Sequence, residues 1–521
     1  MHTPFFLSLL SGLLLWLSFP GGGGVSPLLL LALVPLLLAA YQAGARTSLL
    51  CGLLTGIVHY CALIYWIVIV VGKYGGLPWY ISSLALLLLA LYMSLYLGLF
   101  AMATRFFVRE LPAPLCLFLI PALWVGLDWF RGVFLTGFPW MDLGYALYQY
   151  PLLIQAADLA GHHGVSFLVV SANVLVFLLI IHKASLKNCL LLLIPFLALF
   201  AGAGLYSVTR LQHLEEQLSS LQTQRVRIGV VQGNRDQSQK WAPAKQQETV
   251  ETYITATETL AQPGVPLLVI WPETALPFYP PANDLMAPLQ HMVKEQSISL
   301  LSGAPWYEII DAETRKVKFY NSALLLTPSG EIEDLYFKNH LVPFGEYIPL
   351  KEYVPFLSPL VEAVGDFSPG TIDHPFRWEK AEIGLLICFE SVFPELSRKW
   401  ILTGANVLVN LTNDAWYGKS SAPHQSLGMA VFRAVETRRS LVRSANTGIS
   451  AFIAPTGELL QQSPLFTGWA AADDVPLLSE VTFWVRYGYV FAPLCLFFGA
   501  LGAGIAFYRG KTSRTTRLSI R

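Results

Sequence analysis

The sequence predicts a polytopic α-helical membrane domain of about eight transmembrane helices, joined to a globular α+β domain. Composition is the first reason: of 521 residues, 54% are hydrophobic and only 13% are charged, and mean hydropathy is +0.52. These values are typical of a chain that lies partly in lipid. The second reason is that strand-like runs alternate with candidate helices between residues 225 and 480, a length that suits one globular domain.

Eight apolar runs approach the length that crosses the hydrocarbon of a bilayer. They lie at residues 1–19, 27–42, 48–71, 79–104, 113–130, 165–181, 188–207 and 485–508. The first run lacks a basic amino-terminal region and an Ala-X-Ala-like cleavage site, so we expect a retained helix rather than a cleaved signal peptide. The membrane domain then has seven helices within residues 1–209, and an eighth helix lies within residues 481–508.

Basic residues in the short loops predict the orientation of these helices, because such residues stay on the cytoplasmic side. Arg46, Arg105 and Lys183 follow the second, fourth and sixth predicted helices, and the tail at 509–521 carries five basic residues and no acidic one. With eight helices, all of these residues lie on one side of the membrane. We therefore expect a multi-pass membrane protein with a cytoplasmic tail and with residues 225–480 on the opposite side. In a bacterium, that side would be the periplasmic face of the inner membrane.

Residues 131–164 lie on the same outer side and fit neither a clean span nor a solvated loop. They are broken by glycine and proline, yet they are rich in aromatic residues. We expect an interfacial or re-entrant segment with Trp140 and Tyr145 at headgroup depth. The pair His162–His163 has no cluster of Cys, Asp or Glu at ligand spacing, so the sequence predicts interfacial histidines and no metal site.

Leucines at helical spacing between residues 211 and 221 predict a short amphipathic linker helix at 210–224. After it, strand-like apolar runs recur at residues 227–232, 266–271, 299–303, 320–326, 383–388, 406–411 and 448–454. Candidate helices lie at residues 242–262 and 284–296. This alternation predicts an α/β or layered α+β fold for the globular domain.

Cys388 ends the apolar run at residues 383–387, and a turn and a helix beginning at Pro394 follow it. The other five cysteines lie inside runs that are predicted to span the membrane, so Cys388 has no evident disulfide partner. Backbone N–H groups and a helix amino terminus beside a thiol are expected to favour the thiolate and a developing oxyanion. The alternative is that Cys388 is a buried small hydrophobic residue, as most free cysteines are.

Two further residues suit chemistry with this thiol. Glu273 follows an apolar strand and the pair Trp271–Pro272, a setting in which a carboxylate can act as a general base. Lys338 lies in an aromatic and apolar run, with Glu346 near enough in sequence to form an ion pair with it. Together with the thiol, they supply a nucleophile, a base and a cation for an oxyanion.

Four motifs occur in order along the globular domain: WPET at residues 271–274, KNHLVPFGEY at 338–347, ICFE at 387–390 and LTNDAWYG at 411–418. They resemble the carbon–nitrogen hydrolase (nitrilase) superfamily. With the flanking apolar helices, the chain resembles the bacterial apolipoprotein N-acyltransferases. The resemblance implies a nitrilase-like αββα sandwich for the catalytic domain at 225–480, and it implies no cofactor.

The resemblance also implies a reaction in two steps. The sn-1 acyl chain of a phospholipid is taken up as a thioester, and it is then passed to the α-amino group of a diacylglyceryl-cysteine. The implied partners are a phospholipid acyl donor, a diacylglyceryl-modified apolipoprotein acceptor and the lipid bilayer. A formal net charge of zero gives no indication of a nucleic-acid partner.

Residue roles follow from the resemblance position by position. It implies that Glu273 is the general base, Lys338 the cation for the oxyanion and Cys388 the nucleophile. The supporting residues that it implies are the carboxylates of Glu346 and Glu390 and the pocket-lining Trp241. The family often has tyrosine after the cysteine, whereas this chain has Phe389, whose backbone N–H can still stabilise the oxyanion.

Because the implied substrates are lipids, the site is expected to open towards the bilayer beneath a mobile lid. Residues 343–367 and 413–424 supply apolar and aromatic side chains for that lid, including Phe344, Tyr347, Phe356, Trp416 and Tyr417. Trp416 is also expected to contact substrate. Ordinary core packing is the alternative for each of these side chains taken singly.

Two other functions fit parts of the sequence. A membrane-tethered amidase or nitrilase would use the same three residues on a small substrate, but eight helices exceed what a tether requires. A transporter with an outer sensory domain predicts ionisable residues at mid-membrane, whereas Asp128 and Arg131 lie at the end of a span. Within the site, His340 and His424 are alternative partners for the thiol, ranked below Glu273 because neither belongs to an evident triad.

Overall fold

The computed structural model describes residues 3–182, 186–237, 240–311, 313–347 and 366–519. Within this part of the chain, helices occupy the sequence up to Ser219, and a long helix ends it. Two six-stranded β-sheets lie between them. Most of the predicted lid segment at 343–367, including Phe356, lies outside the described residues.

The helices before the first strand are, in chain order, α1 (Thr3–Ser18), α2 (Val34–Gln42), α3 (Ala45–Leu63), α4 (Trp66–Ile69), α5 (Trp79–Glu110), α6 (Ala113–Val133), α7 (Pro151–Ile154), α8 (Ala157–Ala160), α9 (His162–Ile181) and α10 (Leu186–Ser219). Among the described residues, six helices are long and apolar enough to cross a membrane. They are α3, α5, α6, α9, α10 and the last helix, α16 (Phe491–Ser519). These six helices match six of the eight predicted spans.

The first two predicted spans form shorter helices. The 16 residues of α1 give about 24 Å of helix, against roughly 30 Å of hydrocarbon in a bilayer. The second span is a 3₁₀ turn, Ser26–Leu30, followed by the nine-residue α2. Pro27 and Pro35 explain this division, because each lies in the first turn of its segment, where a missing N–H is tolerated.

The predicted linker helix at 210–224 is the end of a longer helix. Helix α10 continues from the seventh predicted span to Ser219 without a break. No glycine or proline occurs between residues 205 and 223, so the local sequence favours continuation. Leu214 is fully buried, whereas Leu221, beyond the helix, is fully exposed. The predicted apolar face is therefore only partly covered.

The described strands are β1 (Arg225–Gln232), β2 (Leu268–Ile270), β3 (Ser299–Asp311), β4 (Lys316–Leu326), β5 (Ile332–Phe337), β6 (Phe376–Trp378), β7 (Ala381–Ile387), β8 (Val407–Thr412), β9 (Leu441–Ala445), β10 (Ala451–Ile453), β11 (Leu459–Gln462) and β12 (Trp469–Pro476). They form two sheets, in the orders β12-β1-β2-β3-β4-β5 and β11-β10-β9-β8-β7-β6. The apolar runs predicted β1 to β4, β7, β8 and β10. The runs did not reveal β5, β6, β9, β11 and β12, which are short or rich in polar residues.

The two sheets pack face to face, and helices cover their outer faces. Ser444 Oγ of β9 lies 3.3 Å and 3.2 Å from the carbonyl oxygens of Val231 and Ile270, which belong to the other sheet. Helices α11 (Pro243–Glu258) and α12 (Met286–Gln296) cover the first sheet, and α13 (Pro394–Leu402) and α14 (Ala422–Thr437) cover the second. The short α15 (Phe483–Tyr487) precedes α16. The predicted αββα sandwich is thus confirmed.

Strand directions bring three distant parts of the chain together. In the first sheet, β2 and β3 are parallel and β4 is antiparallel to both β3 and β5, so β2 and β5 end at the same edge. Glu273 and Lys338 follow these two ends. In the second sheet, β7, β8 and β9 are parallel, and Cys388 follows β7 directly. Each candidate residue therefore lies where its strand ends.

Part of the segment at residues 131–164 packs between the membrane helices and the sandwich. Trp140 and Tyr145 are both fully buried. The Gln425 side chain of α14 accepts the Trp140 indole N–H (2.8 Å), and Arg433 of α14 donates to the Tyr145 hydroxyl (2.8 Å). These two aromatic side chains therefore contact protein, whereas other apolar side chains of the segment are exposed. The expected interfacial or re-entrant placement of the segment stays a prediction.

His162 and His163 are also buried. His162 lies 2.9 Å from Asp142 through Nε2 and 3.3 Å from Glu436 through Nδ1. The ligand atoms of Asp142, His162 and His163 lie within 4.8 Å of one another. However, the two imidazole rings are tilted by 35° with centroids 3.9 Å apart, whereas two imidazoles on one tetrahedral ion keep their centroids roughly 5 Å apart. The geometry favours direct contact between the two rings over a shared metal ion.

Candidate active site

Glu273 lies three residues after the end of β2, and it is 6% exposed. Its Oε1 accepts a hydrogen bond from the Asn321 amide of β4 (2.8 Å). Its Oε2 is buried and has no hydrogen-bond partner among the described residues. A buried carboxylate oxygen without a donor is free to accept a proton from a substrate or a neighbouring thiol.

Lys338 follows β5 and is 1% exposed. Its Nζ lies 2.9 Å from both carboxylate oxygens of Glu346 and 4.0 Å from Glu273 Oε1. The Asn321 amide also donates to Glu346 Oε1 (2.8 Å), so one amide joins both carboxylates. Although burial opposes the charge, Glu346 and Glu273 raise the pKa of Lys338 above its ordinary value. The predicted ion pair between Lys338 and Glu346 is therefore present, and it holds a permanent cation beside the base.

Cys388 has φ = 53°, a left-handed conformation that costs on the order of 1–3 kcal/mol for a residue with a side chain. Its thiol shares a hydrogen bond with Thr412 and lies within electrostatic reach of Glu273 and Lys338. Ser391 Oγ donates to the Cys388 carbonyl (3.0 Å), which stabilises the turn. The left-handed turn therefore places the thiol within electrostatic reach of Glu273 and Lys338, which follow strands of the other sheet.

Burial raises the pKa of the Cys388 thiol well above its ordinary value, and the Glu273 carboxylate raises it further, whereas Lys338 lowers it. The sequence was expected to place a helix amino terminus beside the thiol. Cys388 instead begins a 3₁₀ turn of five residues, Cys388–Val392, and α13 begins only at Pro394. The resting thiol is consequently protonated, and it requires a base to become a nucleophile.

Glu390 joins the turn that carries Cys388 to the turn that carries Lys338. It is fully buried, and its carboxylate accepts four hydrogen bonds. The donors are the Tyr336 hydroxyl (2.9 Å) and the backbone N–H groups of Asn339 (2.7 Å), His340 (3.0 Å) and Ile387 (2.7 Å). Burial raises the pKa of Glu390 to about 7, and these donors oppose that shift. The supporting position implied for Glu390 agrees with these contacts.

A second buried carboxylate lies behind the thiol. Asp414 accepts a hydrogen bond from the Thr412 hydroxyl (3.0 Å) and forms an ion pair with Arg443 of β9 (3.0 Å). All three side chains are buried. Because Thr412 also contacts the Cys388 thiol, this chain of polar contacts fixes one side of the nucleophile.

The three aromatic residues named from the sequence as supporting residues differ in exposure. Phe389 is buried and stacks at 6.4 Å on Trp140 from the membrane part. Trp416 is 38% exposed and contacts Tyr74 edge to face at 5.5 Å, and Trp241 is 40% exposed. Half-exposed aromatic side chains are suited to contact with an apolar substrate, so the expected role of Trp416 and Trp241 stays a prediction.

Among the described residues, neither alternative histidine has a side-chain hydrogen bond to Glu273, Lys338 or Cys388. The His340 ring packs against Phe393 at a tilt of 38°, with centroids 3.9 Å apart. Burial, followed by the nearby Lys338 ammonium, lowers the pKa of His340 to about 4, so it is neutral at physiological pH. His424 lines a cavity of about 370 Å³ with the turn at 20–24 and Tyr148, and that lining does not include Cys388. Neither position favours a histidine over Glu273 as the base.

Four polar residues of this site were not singled out from the sequence. Asn321 is a single amide side chain within the apolar run of β4, and this contrast could have marked it as a candidate site residue. Thr412 and Asp414 lie inside the LTND stretch, but nothing in the neighbouring sequence indicates that they lie near Cys388. Lys240, which donates to Thr274 Oγ1 (2.6 Å) beside the base, precedes Trp241 in a segment without any strand or helix pattern.

The models of two protein families match separate ranges of this chain. Residues 227–473 match the family described as Carbon-nitrogen hydrolase, and residues 11–175 match the Apolipoprotein N-acyltransferase N-terminal domain. Fold and site together define a carbon–nitrogen hydrolase domain that is carried by membrane helices.

Relatives with curated names extend this match to nearly the whole chain. A protein of Geobacter metallireducens named apolipoprotein N-acyltransferase is 40% identical over 513 residues, covering 97% of this chain and 95% of the relative. Proteins with the same name from Chlorobaculum tepidum and Vibrio cholerae are each 30% identical; the matches cover 95% of both chains for the first and 94% of both for the second. The chain belongs to the apolipoprotein N-acyltransferase family, and the resemblance seen in the motifs is confirmed.

Proposed function

We propose that this protein transfers an acyl chain from a phospholipid to the α-amino group of the diacylglyceryl-cysteine of an apolipoprotein. The acyl group is carried as a thioester on Cys388, with Glu273 as the base and Lys338 as the cation for the oxyanion. Family membership supports the class of reaction. The contacts among Glu273, Lys338, Glu346 and the Cys388 turn support the assignment of roles.

In the first step, Glu273 Oε2 accepts the thiol proton while Cys388 Sγ attacks the sn-1 ester carbonyl of the phospholipid. The Lys338 ammonium and the Phe389 backbone N–H stabilise the oxyanion that forms. When the ester C–O bond breaks, protonated Glu273 returns the proton to the glycerol oxygen. Lysophospholipid leaves, and the acyl group remains on the sulfur.

In the second step, the amine of the diacylglyceryl-cysteine attacks the thioester carbonyl. Glu273 accepts a proton from the attacking amine, and Lys338 again faces the oxyanion. The C–S bond breaks, the Cys388 sulfur regains the proton, and an amide leaves with the lipoprotein. One base and one cation therefore serve both halves of a ping-pong reaction.

One observation favours transfer between lipids over hydrolysis of a small soluble substrate: membrane helices form part of the wall beside the nucleophile. Trp66 of α4 contacts Tyr417 at 4.9 Å and Trp140 at 4.7 Å, and Trp140 in turn stacks on Phe389, the residue after the nucleophile. An aromatic wall shared with membrane helices suits a long acyl chain and excludes water from the thioester.

The test of this function is whether the thioester survives until an acceptor arrives. Purified enzyme incubated with phospholipid alone is expected to gain the mass of one acyl group on Cys388 and to release one equivalent of lysophospholipid. A peptide with a diacylglyceryl-cysteine amino terminus is then expected to discharge the adduct as an N-acyl peptide. Continuous release of free fatty acid without acceptor, and without an accumulated adduct, would identify a hydrolase instead.

We propose further that the chain lies in the bacterial inner membrane, with the catalytic domain at 225–480 on the periplasmic face. The membrane domain at 1–209 and the basic tail at 509–521 complete this arrangement, which rests on the basic loops. A fluorescent reporter fused after residue 521 is expected to be cytoplasmic and bright, whereas alkaline phosphatase inserted near residue 222 is expected to be active. A carboxy-terminal fusion with the properties of an exported protein would contradict the topology.

A further inference from the structure

The site contains a second buried lysine that the mechanism above does not use. Lys240 is 4% exposed, and its Nζ donates hydrogen bonds to Thr274 Oγ1 (2.6 Å) and to the Thr274 carbonyl (3.2 Å). Thr274 directly follows Glu273, so this ammonium group contacts the residue next to the base. A lysine is rarely buried without a charged partner, which indicates that its charge acts on something nearby.

The backbone around Glu273 is held from two sides. Thr274 has φ = 48°, which an ordinary side chain adopts only when its surroundings impose it. On one side, Gly303 of β3 packs so closely that a Cβ there would lie 2.6 Å from Glu273 Cα. On the other side, the two hydrogen bonds from Lys240 hold Thr274. Lys240 thereby limits the movement of the base.

Lys240 offsets the net charge of the group formed by Glu273, Lys338 and Glu346. Glu273 follows β2, Lys338 and Glu346 follow β5, and Cys388 follows β7, whereas Lys240 comes from the segment before α11. The two carboxylates and the Lys338 ammonium of this group alone leave one net negative charge. That excess would oppose formation of a thiolate at Cys388, since a like charge in a buried site disfavours a second one.

We propose that Lys240 is a positioning residue of this reaction: it fixes the Glu273 backbone through Thr274 and supplies the positive charge that keeps the group of Glu273, Lys338 and Glu346 neutral while Cys388 is deprotonated. The inference rests on the proposed function, because it assigns Glu273 as the base and Cys388 as the nucleophile. Lys240 is thus a second cation of the site. It acts on the base, whereas Lys338 acts on the oxyanion.

The protonation of Lys240 supports this role. Burial lowers the pKa of Lys240 to about 8, and the Glu273 carboxylate opposes that shift. The ammonium is therefore present at neutral pH and is lost as the pH rises through about 8. Asp236, on the same segment, accepts the Lys240 backbone N–H through its carbonyl (3.1 Å). The acylation rate is expected to decline on the alkaline side as Lys240 loses its proton.

Alkylation of Cys388 by iodoacetamide, followed by mass spectrometry of its peptide in the full-length protein, tests the charge without any lipid substrate. Lys240→Met is expected to slow alkylation at neutral pH by about 10- to 100-fold, the equivalent of one to two pKa units. Lys240→Arg, which keeps the charge, is expected to stay within a few fold of the wild type. Thr274→Val removes one hydrogen bond but keeps the charge, so its alkylation profile is expected to resemble that of Lys240→Arg.

The first-turnover release of lysophospholipid supplies the second readout. The wild type is expected to lose acylation rate above about pH 8, and Lys240→Arg is expected to shift that decline to higher pH because a guanidinium stays protonated. Wild-type alkylation of Lys240→Met would overturn the inference, as would a Lys240→Arg profile with an unshifted decline. If phospholipid does not acylate the enzyme at all, the proposed function fails, while the alkylation profiles still decide the role of Lys240.

Discussion

Cys388→Ser is expected to reduce acyl transfer by about a thousandfold or more, because an alkoxide is much harder to form than a thiolate beside the same base. The thiol of the wild type is already protonated at rest, since burial and Glu273 raise its pKa. A serine hydroxyl would have to lose its proton in the same buried site, and it is a weaker acid than the thiol. The rate of N-acyl peptide formation and the mass of the 388-containing peptide measure the effect.

Cys61→Ser provides a matched control for that variant. Cys61 is a free, half-buried cysteine of α3, in the membrane part of the chain. Its replacement is expected to leave the acyl adduct and turnover within a few fold of the wild type. Appreciable turnover by Cys388→Ser, or an adduct on another cysteine, would contradict the assignment of Cys388 as the nucleophile.

Lys338→Met is expected to lower both stability and activity by large amounts. Removal of the ammonium leaves the buried carboxylates of Glu273 and Glu346 without the cation that lies 4.0 Å and 2.9 Å from them. Breaking a buried ion pair in this way costs about 3–5 kcal/mol of unfolding free energy, and loss of an oxyanion-stabilising group lowers turnover by about 10²–10³-fold. Thermal unfolding in detergent and turnover of the purified protein measure the two effects.

Two variants separate the catalytic role of Lys338 from its role in stability. The double variant Lys338→Met with Glu346→Gln removes the uncompensated charge, so it is expected to regain much of the stability but little of the activity. Lys338→Arg is expected to be nearly as inactive as Lys338→Met, because a planar guanidinium cannot replace a compact ammonium between two carboxylates. Recovery of activity in either variant would show that the lysine supplies only structural charge.

Several features of this site could be predicted because they depend on neighbours in the sequence. Glu273 and Cys388 each follow an apolar run that proved to be a strand, whereas Lys338 follows β5, which the apolar runs did not reveal. The αββα fold was predicted because four short motifs of the chain resemble those of the carbon–nitrogen hydrolase superfamily. Local spacing indicates which residues lie at strand ends, since the period of a strand and the residues that stop it are local properties.

Other features depended on parts of the chain that are far apart in sequence. Asn321 contacts Glu273 and Glu346, which lie 48 and 25 residues away from it. Glu390 accepts N–H groups from the turn after β5, about fifty residues earlier, and no pattern in either segment reveals the other. Such contacts are set by the order in which strands pair, which the spacing along the chain does not specify.

The sequence by itself determined the six long apolar helices and the strands built from strongly apolar runs, and it singled out the three residues proposed to bear the chemistry. Each rests on hydrophobic periodicity or on a short motif, which act within a few residues. Only the tertiary structure decided that burial disfavours the Cys388 thiolate, that Trp140 and Tyr145 are enclosed by protein, and that Lys240 lies beside Thr274. Burial and charge at a site are sums over neighbours from many segments, so they exist only once the chain has folded.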